Sequence, residues 1–448
     1  MHCPFSHSAR FAHLKEQVSS LWNTHVRMSL PTETPILIVG AGPCGMAAAL
    51  SLYHQGIKDL VVVDAIEQGQ NASRSLVIHA ATLEALDTIK CMNIILPLGE
   101  QVRELWVHEG SSLLLTADFS LLADKTKFPY SLLISQSSTE RAMLEKLTQL
   151  GIHVFRPLRV VSVKECSDDS GKLQVSFESG EVIKAKYVIG ADGAQSVVRH
   201  HAGIAFEDPS GDGPRDFGDL SQMALGDVSF SAPLPSTTPH TIFRLANNTT
   251  IIIARIPDVT YPNATKPVYR ITSGIPQQMG VPPHSPDLEY LQKMFDRMAP
   301  GSLQGSKIET VHWSSRHKTR SAISDRHFRR FPGGGVVLLT GDAAHIHSPI
   351  GGQGLSLGLR DSISLGPVLR AHLDAPEEDS GLLEWARWRH ERALEVIKLT
   401  EDGLGLITSP GKLWAPVRWL VFTVIRTVGK LRFVKRMVAF RLSGLAEI

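Results

Sequence analysis

Cysteine is scarce: Cys3, Cys44, Cys91 and Cys166 are the only four in 448 residues. None is spaced as C-x-x-C, so no disulfide frame and no metal site is expected, and the chain reads as intracellular and cytoplasmic, with reduced thiols. An excess of one charge is also missing. With 46 basic against 44 acidic residues the net charge is +2, which removes any global electrostatic case for nucleic acid. No internal repeat or low-complexity tract is present. No secretory signal opens the chain, so the N-x-S/T triplets at Asn71, Asn247, Asn248 and Asn263 are read as chance. The first 27 residues hold Arg10, Lys15 and Arg27 against Glu16, yet lack the arginine-rich amphipathic pattern of a mitochondrial presequence. Residues 1–33 are accordingly an extension outside the fold, disordered or targeting. The remainder is long enough for two or three domains and a large core.

Glycine, by contrast, is concentrated in informative places. Residues 36–64 read ILIVGAGPCGMAAALSLYHQGIKDLVVVD. The apolar, β-branched start suits a strand buried on both faces of a parallel sheet. Gly40, Gly42 and Gly45 follow in G-x-G-x-x-G spacing: the first for a tight turn, the second for close approach of a pyrophosphate, the third for packing of helix on strand. Pro43 and the alanines at 47–49 favour a helix, with Gly56 as its stop. Residues 60–63 make the second strand, and Asp64 comes nineteen positions after Gly45, where an acid bonds a ribose hydroxyl. Strand, turn, helix, strand and acid in this order predict a site for the ADP half of a dinucleotide.

Two later stretches narrow the reading. KYVIGADGAQSVVRHHAGI, residues 186–204, is a buried strand running into Asp192-Gly193 and then a helix start with Ser196 and Arg199. GGVVLLTGDAAHIHSPIGGQGLSLGLRDSISLG, residues 334–366, gives a strand ending at Gly341-Asp342, a Ser348-Pro349 loop, and Gly351-Gly352-Gln353-Gly354 heading a helix. In these three motifs and their order the chain resembles the para-hydroxybenzoate hydroxylase-like flavoproteins, the single-component FAD monooxygenases of aromatic compounds. The motifs that carry the resemblance span residues 35–366.

The resemblance implies an α/β fold: a Rossmann-like FAD-binding domain, an inserted antiparallel β-sheet substrate domain, and a helical C-terminal tail. It gives Asp342 the ribityl hydroxyls of the cofactor. It sets the backbone N–H groups after Pro349 against the flavin N1–C2=O edge, where a helix N-terminus stabilises negative charge. Asp192 and Gly193 fall beside the pyrophosphate, with a part in NAD(P)H handling. Arg74, in SRSLVIHAATLEALD, matches a further FAD contact, and Gln136, in SLLISQSSTERAMLEKLTQLGI, a ribityl contact. There are two departures. The family usually has arginine where Ala81 stands, so no contact is carried over there. Its asparagine in the glycine-rich loop is Ser356, a smaller donor.

By the same resemblance FAD is held non-covalently and reduced by NADPH or NADH. O2 then reacts, and a C4a-hydroperoxyflavin passes one oxygen atom to an electron-rich, phenolic small molecule. With one complete G-x-G-x-x-G unit, the nicotinamide docks transiently in the cleft. His345, His347, Arg244 and Arg320 are the polar candidates for deprotonating or holding a phenol. Two alternatives stay open at this point: an FAD oxidoreductase that does not oxygenate, and a non-catalytic, membrane-associated FAD-binding protein. The W-x-W-x-I-P signature of flavin halogenases is absent.

The FAD domain is expected in three pieces, 34–107, 131–215 and 308–372. The substrate domain takes 108–130 and 216–307, and a helical region takes 373–448. Alternation over 158–188 predicts an antiparallel meander with a turn at 167–171. TIFRLANNTTIIIARI, 241–256, reads as a hairpin bent at Asn247-Asn248, and SPDLEYLQKMFDRMAP, 285–300, as a capped amphipathic helix. Residues 412–448 hold eight basic residues and one acid, Glu447, among Trp414, Trp419, Phe422, Phe433 and Phe440. Arg418 and Arg426 interrupt the apolar run, so no spanning helix is expected. This tail packs on the body, borders the substrate entrance, or lies on an anionic membrane. The resemblance leaves no room after Gly366 for the thioredoxin-like domain of longer phenol hydroxylases.

Overall fold

The computed structural model describes residues 29–67, 75–110, 112–168, 170–209, 211, 218–235, 241–246, 249–299, 301–349, 351–408 and 415–447. The features expected at residues 1–28, Asn71, Arg74, the Asn247-Asn248 bend and Trp414 lie outside them. The central sheet orders its strands Phe328–Arg330, Val336–Leu339, Val182–Gly190, Glu33–Val39, Leu60–Val63 and Val154–Phe155. Its inner pairings are parallel and in step. Val39 opposes Gly190 on one side and Val63 on the other, and Gly190 opposes Leu339. The chain therefore leaves the sheet at Gly40, Ala191 and Thr340 along one edge. The strand order reverses about Glu33–Val39, and ligands of open α/β sheets bind at such a point. Both faces are covered, which is why the strands are wholly apolar. Ile36 and Ile38 enter one core with the helix Pro43–His54, while Leu37 and Val39 enter another with the meander. That meander, Val160–Glu165, Leu173–Phe177 and Val182–Gly190, pairs antiparallel as its alternation predicts.

A second sheet runs Ile308–Lys318, Gln222–Phe230, Val268–Gly274, Thr249–Arg255, Thr241–Ala246, Glu104–Glu109 and Ser112–Asp118. It departs from the expected division at two places. Ile308–Lys318 lies past residue 307 yet pairs along all of Gln222–Phe230, and Glu104–Glu109 starts before residue 108. A nine-residue strand left without a partner of matching length would expose its backbone edge, and composition does not mark that need. Glu104–Glu109 also runs parallel to Thr241–Ala246, whereas the other pairings in this sheet are antiparallel. One face is covered by the helix Leu288–Met298, capped by Asp287, which accepts the Tyr290 N–H. Leu291, Met294 and Phe295 pack there on Ala224, Val228, Ile251 and Ile271. Strand alternation turns Met223, Leu225 and Asp227 to the other face. Asp227 is buried and paired there: Arg270 Nε donates to it at 2.7 Å and the Tyr261 hydroxyl at 2.6 Å.

Two long helices, Gln353–Asp374 and Ser380–Thr408, follow, and then Ala415–Val428 and Arg432–Ser443. The last helix packs on the body. Ala439 and Leu445 join Ala80, Ala81, Ala117, Phe119 and Leu122 in one cluster. Among the described residues no helix is long and apolar enough to cross a membrane.

The helix Gln353–Asp374 crosses Pro43–His54 at Gly366, where a Cβ would fall 2.1 Å from Ser51 Oγ and 2.9 Å from its Cβ. Replacing a helical glycine by alanine ordinarily stabilises by about 1 kcal/mol. Here overpacking reverses the sign, and Gly366→Ala should destabilise by roughly 1–3 kcal/mol. Urea denaturation checks this; a midpoint equal to or above the parent's contradicts the contact.

Candidate cofactor and substrate site

The G-x-G-x-x-G glycines divide by what surrounds them. Gly40 has φ +101°, and a Cβ there would lie 2.3 Å from the Ala191 carbonyl oxygen; a Cβ on Gly45 would lie 1.8 Å from the Gly40 oxygen. These two glycines let backbone meet backbone. Around Gly42 nothing lies within 4 Å of such a Cβ. An open cradle thus stands at the N-terminus of Pro43–His54, where unpaired N–H groups and the helix dipole favour an anion. Gly193, at φ +83°, also opens onto free space.

Asp64 is buried beside this cradle, and its carboxylate accepts the Ala41 N–H at 2.6 Å and the Ile66 N–H at 2.9 Å. It therefore braces the glycine turn, in addition to any ribose contact. Arg156 completes the corner. Its NH2 donates to the Ala41 carbonyl at 3.0 Å and stands 3.8 Å from Asp64, while its Nε is buried without a partner among the described residues. Sequence reasoning missed Arg156, which belongs to no motif. Only the pairing of Val154–Phe155 with Leu60–Val63 brings it to the end of that strand.

Asp192 serves its own loop. Its carboxylate is turned into its own loop, where it accepts Ser196 Oγ at 2.5 Å and the N–H groups of Val197 and Val198 at 2.8 and 3.1 Å. Burial pushes its carboxyl above the ordinary range, against these hydrogen bonds. Four unsatisfied N–H groups open every helix, and an acid just upstream serves them first. Arg199, expected only at a helix start, ties this loop to the third motif by donating to the Ala343 carbonyl at 2.8 Å and the Ala194 carbonyl at 2.9 Å. Gly341, at φ +61°, packs on Cys44 of the first motif: a Cβ would come 2.5 Å from the thiol sulfur. Asp342 is exposed between the buried Gly341 and Ala343. Gln136 heads the helix Gln136–Gln149, where its Nε2 donates to Glu140 at 2.8 Å and its Oε1 accepts the Ser75 N–H at 3.4 Å.

Pro349 precedes Gly351 and Gly352, whose φ values of +88° and +64° are left-handed, and Gln353–Asp374 begins directly after them. Gln353 Nε2 donates to the Leu442 carbonyl at 2.9 Å, so the tail reaches the head of this loop. Ser356 is buried, its Oγ accepting the His79 N–H at 3.4 Å. His79 itself was missed by the sequence reading, its one signal being its place two residues before the departure at Ala81. Its Nε2 lies 2.9 Å from the Gly351 carbonyl and its Nδ1 3.1 Å from Ser131 Oγ. Burial pushes this imidazole down to about 4. The neutral ring buttresses the glycine-rich loop from below.

The four candidates for work on the substrate differ in their surroundings. Arg244 Nε donates to the Gly110 carbonyl at 2.9 Å and its NH1 to the Met298 carbonyl at 2.6 Å, closing the helix-covered side of the second sheet. Arg320 is exposed. His345 is buried, with Nε2 2.5 Å from Asp361. His347 stands at the glycine-rich loop: a Cβ on Gly354 would lie 3.7 Å from its Nε2.

The FAD binding domain family matches residues 33–400. The chain belongs to this family. An uncharacterized aromatic compound monooxygenase of Bacillus subtilis (strain 168) is 30% identical over 382 residues, 83% of this chain and 68% of that protein. A dialkyldecalin synthase of Streptomyces rugosporus is 28% identical over 359 residues, 79% of this chain and 69% of that protein. The crystal structure of p-nitrophenol 4-monooxygenase from Pseudomonas putida DLL-E4 superposes with a TM-score of 0.74, covering 93% of this chain and 99% of that one. At 22% identity it shows the shared fold.

The residues present fit FAD. The open cradle at Gly42, the unpartnered Nε of Arg156 beside Asp64, and the left-handed glycines before Gln353 are what a dinucleotide with a ring at its far end requires. Gly42→Val should abolish FAD uptake, because its side chain enters the cradle, yet leave the fold intact, since nothing there clashes. Equilibrium dialysis with circular dichroism decides it, and retained FAD contradicts the assignment. His79 titrates at about 4 in the fold against 6.5 in the open chain, so the unfolded state binds the extra proton between those values. Stability should then fall as pH drops from about 6.5 to about 4. Thermal unfolding of His79→Gln should show a shallower fall; an unchanged slope excludes His79 as a contributor.

Proposed function

We propose that this FAD-binding protein is a monooxygenase that uses NADPH or NADH and O2 to hydroxylate a phenolic or related electron-rich aromatic molecule. His347 is the observation that carries this reading. Its Nδ1 donates to the Ser348 carbonyl at 2.8 Å, which leaves the lone pair on Nε2. Burial pushes the imidazole down to about 4, so the ring is neutral at pH 7. Nε2 is buried with no hydrogen-bond partner among the described residues. His317, on the strand Ile308–Lys318, adds a smaller repulsion, so the ring lies where the glycine-rich loop meets the second sheet. A neutral acceptor here takes a hydrogen bond from a phenol hydroxyl, which orients the ring and raises electron density on its carbons. Met223 and Leu225, turned inward on the paired strand, offer apolar contact and keep water away. Bound FAD supplies hydride acceptance and activation of O2. Burial, reinforced by Asp342 and Asp361, pushes the Cys44 thiol well up, which favours non-covalent FAD over a thiol-linked flavin.

The relative named as a dialkyldecalin synthase keeps a second reading in play, in which the same fold holds FAD without oxygenating its substrate. Nucleotide oxidation and oxygen uptake, followed over a library of phenols with mass analysis of the products, separate the two. Equal consumption of NAD(P)H and O2, with a product heavier by one oxygen atom, supports hydroxylation. A flavin that neither NADH nor NADPH reduces, with any phenol present, refutes it. His347→Leu, which cannot accept that hydrogen bond, should keep FAD while kcat/KM for the phenol falls by about tenfold; an unchanged kcat/KM excludes His347 from holding the substrate.

A further inference from the structure

The tail has one face on the protein and one that nothing described covers. Ala415–Val428 leans on the body through Phe422, and at Gly429 its backbone nears the Leu114 carbonyl, 2.9 Å from a would-be Cβ. Its outward residues Val417, Leu420, Val424 and Val428 recur every three or four positions, and all are exposed. Leu431, Phe433 and Met437 continue the surface onto Arg432–Ser443, with Trp419 and Phe433 as much as 68% and 65% exposed. A helix that faces only water keeps large apolar side chains off its outer face, and this pair exposes them. Lys430 and Arg432 are exposed in the middle of the apolar surface. Arg426 and Arg436 are held against the body by Glu109 at 3.6 Å and Asp124 at 2.7 Å. Residues 415–446 contain no acid.

We propose that Ala415–Val428 and Arg432–Ser443 form an in-plane docking surface for an anionic phospholipid bilayer. Helices of 14 and 12 residues are too short to span, but aromatic and aliphatic side chains enter the boundary of headgroups and acyl chains while Lys430 and Arg432 among them reach lipid phosphates. Charge selects this occupant over a second copy, since a two-fold contact through the same face would bring Lys430 and Arg432 against their own images. The surface is tied to the glycine-rich loop, because Gln353 and Arg360 donate to the carbonyls of Leu442 and Gly444 at the C-terminal end of the second helix. The proposal stands apart from the choice of substrate.

The test uses the full FAD-loaded chain and vesicles of phosphatidylcholine with or without phosphatidylglycerol. Binding by co-sedimentation should require phosphatidylglycerol and weaken as salt is raised. The double variant Trp419→Ser/Phe433→Ser should lose about tenfold or more in binding, and Lys430→Glu/Arg432→Glu should lose the preference for the anionic lipid. FAD content and circular dichroism report that both variants are folded. Absence of vesicle binding, binding equal in parent and variants, or a dimer by light scattering that Trp419→Ser/Phe433→Ser dissociates would each overturn the proposal.

Discussion

A single buried carboxylate organises the region around the glycine-rich loop. Asp361 lies inside the helix Gln353–Asp374 with no exposure to water. Arg389, from Ser380–Thr408, donates its Nε at 2.6 Å; His345 Nε2 is 2.5 Å away, and the Gly341 N–H is 3.3 Å away. Burial pushes this carboxyl up, but Arg389 and His345 outweigh it and hold it well below the usual range. A buried charge that loses one partner destabilises by about 3–5 kcal/mol, so none of the three elements can shift without the others. The constraint reaches the site at two points. It fixes the Gly341-Asp342 turn, and it fixes the short strand His345–Ile346 from which His347 emerges. His327, buried within 5.8 Å of the His345 ring and pushed down to about 3 by that burial, stays neutral, which leaves the ion pair as the charge to be accommodated.

That constraint matters because three distant parts of the chain must meet at one edge. Parallel register does this without further devices. The Gly40 N–H donates to the Val63 carbonyl at 2.8 Å, the Ala191 N–H to Val39 at 2.8 Å and the Thr340 N–H to Gly190 at 3.0 Å, so each exit is bonded to its neighbour. Arg199 then clamps the second motif to the third. The cradle at Gly42 is what remains when the rest of the edge has been closed.

These relations explain which parts were legible in the sequence. A glycine that meets another backbone admits no substitute, so Gly40 and Gly45 announce themselves by spacing, and a strand buried on both faces announces itself by apolar run. Carboxylates are less legible, because a buried loop offers them N–H groups before any ligand does. Asp64 and Asp192 serve their own turns in this way. His345 and His347 look alike in sequence, two positions apart, yet one meets a buried carboxylate and the other a main-chain carbonyl, with a ring nitrogen left over. Arg156 and His79 gave no motif, because their roles come from strand order and from a loop 272 positions further along the chain. The strand Ile308–Lys318 crossed its expected boundary for a similar reason, its length being set by the partner strand.

Ala81 shows how a departure from the family pattern can be absorbed structurally. The resemblance has an arginine at that position. In this chain Ala80 and Ala81 lie in a cluster with Ala439 and Leu445, and Gly444 comes so close that a Cβ would sit 3.3 Å from that of Ala81 and 3.1 Å from Arg360 NH1. An arginine at 81 would occupy the volume that the tail uses. The guanidinium in this neighbourhood is that of Arg360, which donates to the Ser356 and Gly444 carbonyls at 3.2 and 3.3 Å. Small residues at 81 and 444 thus let the C-terminus seat itself against the helix that begins at the glycine-rich loop. The tail's inner residues complete the core beside that loop, and its outer residues are left to whatever surface the protein meets.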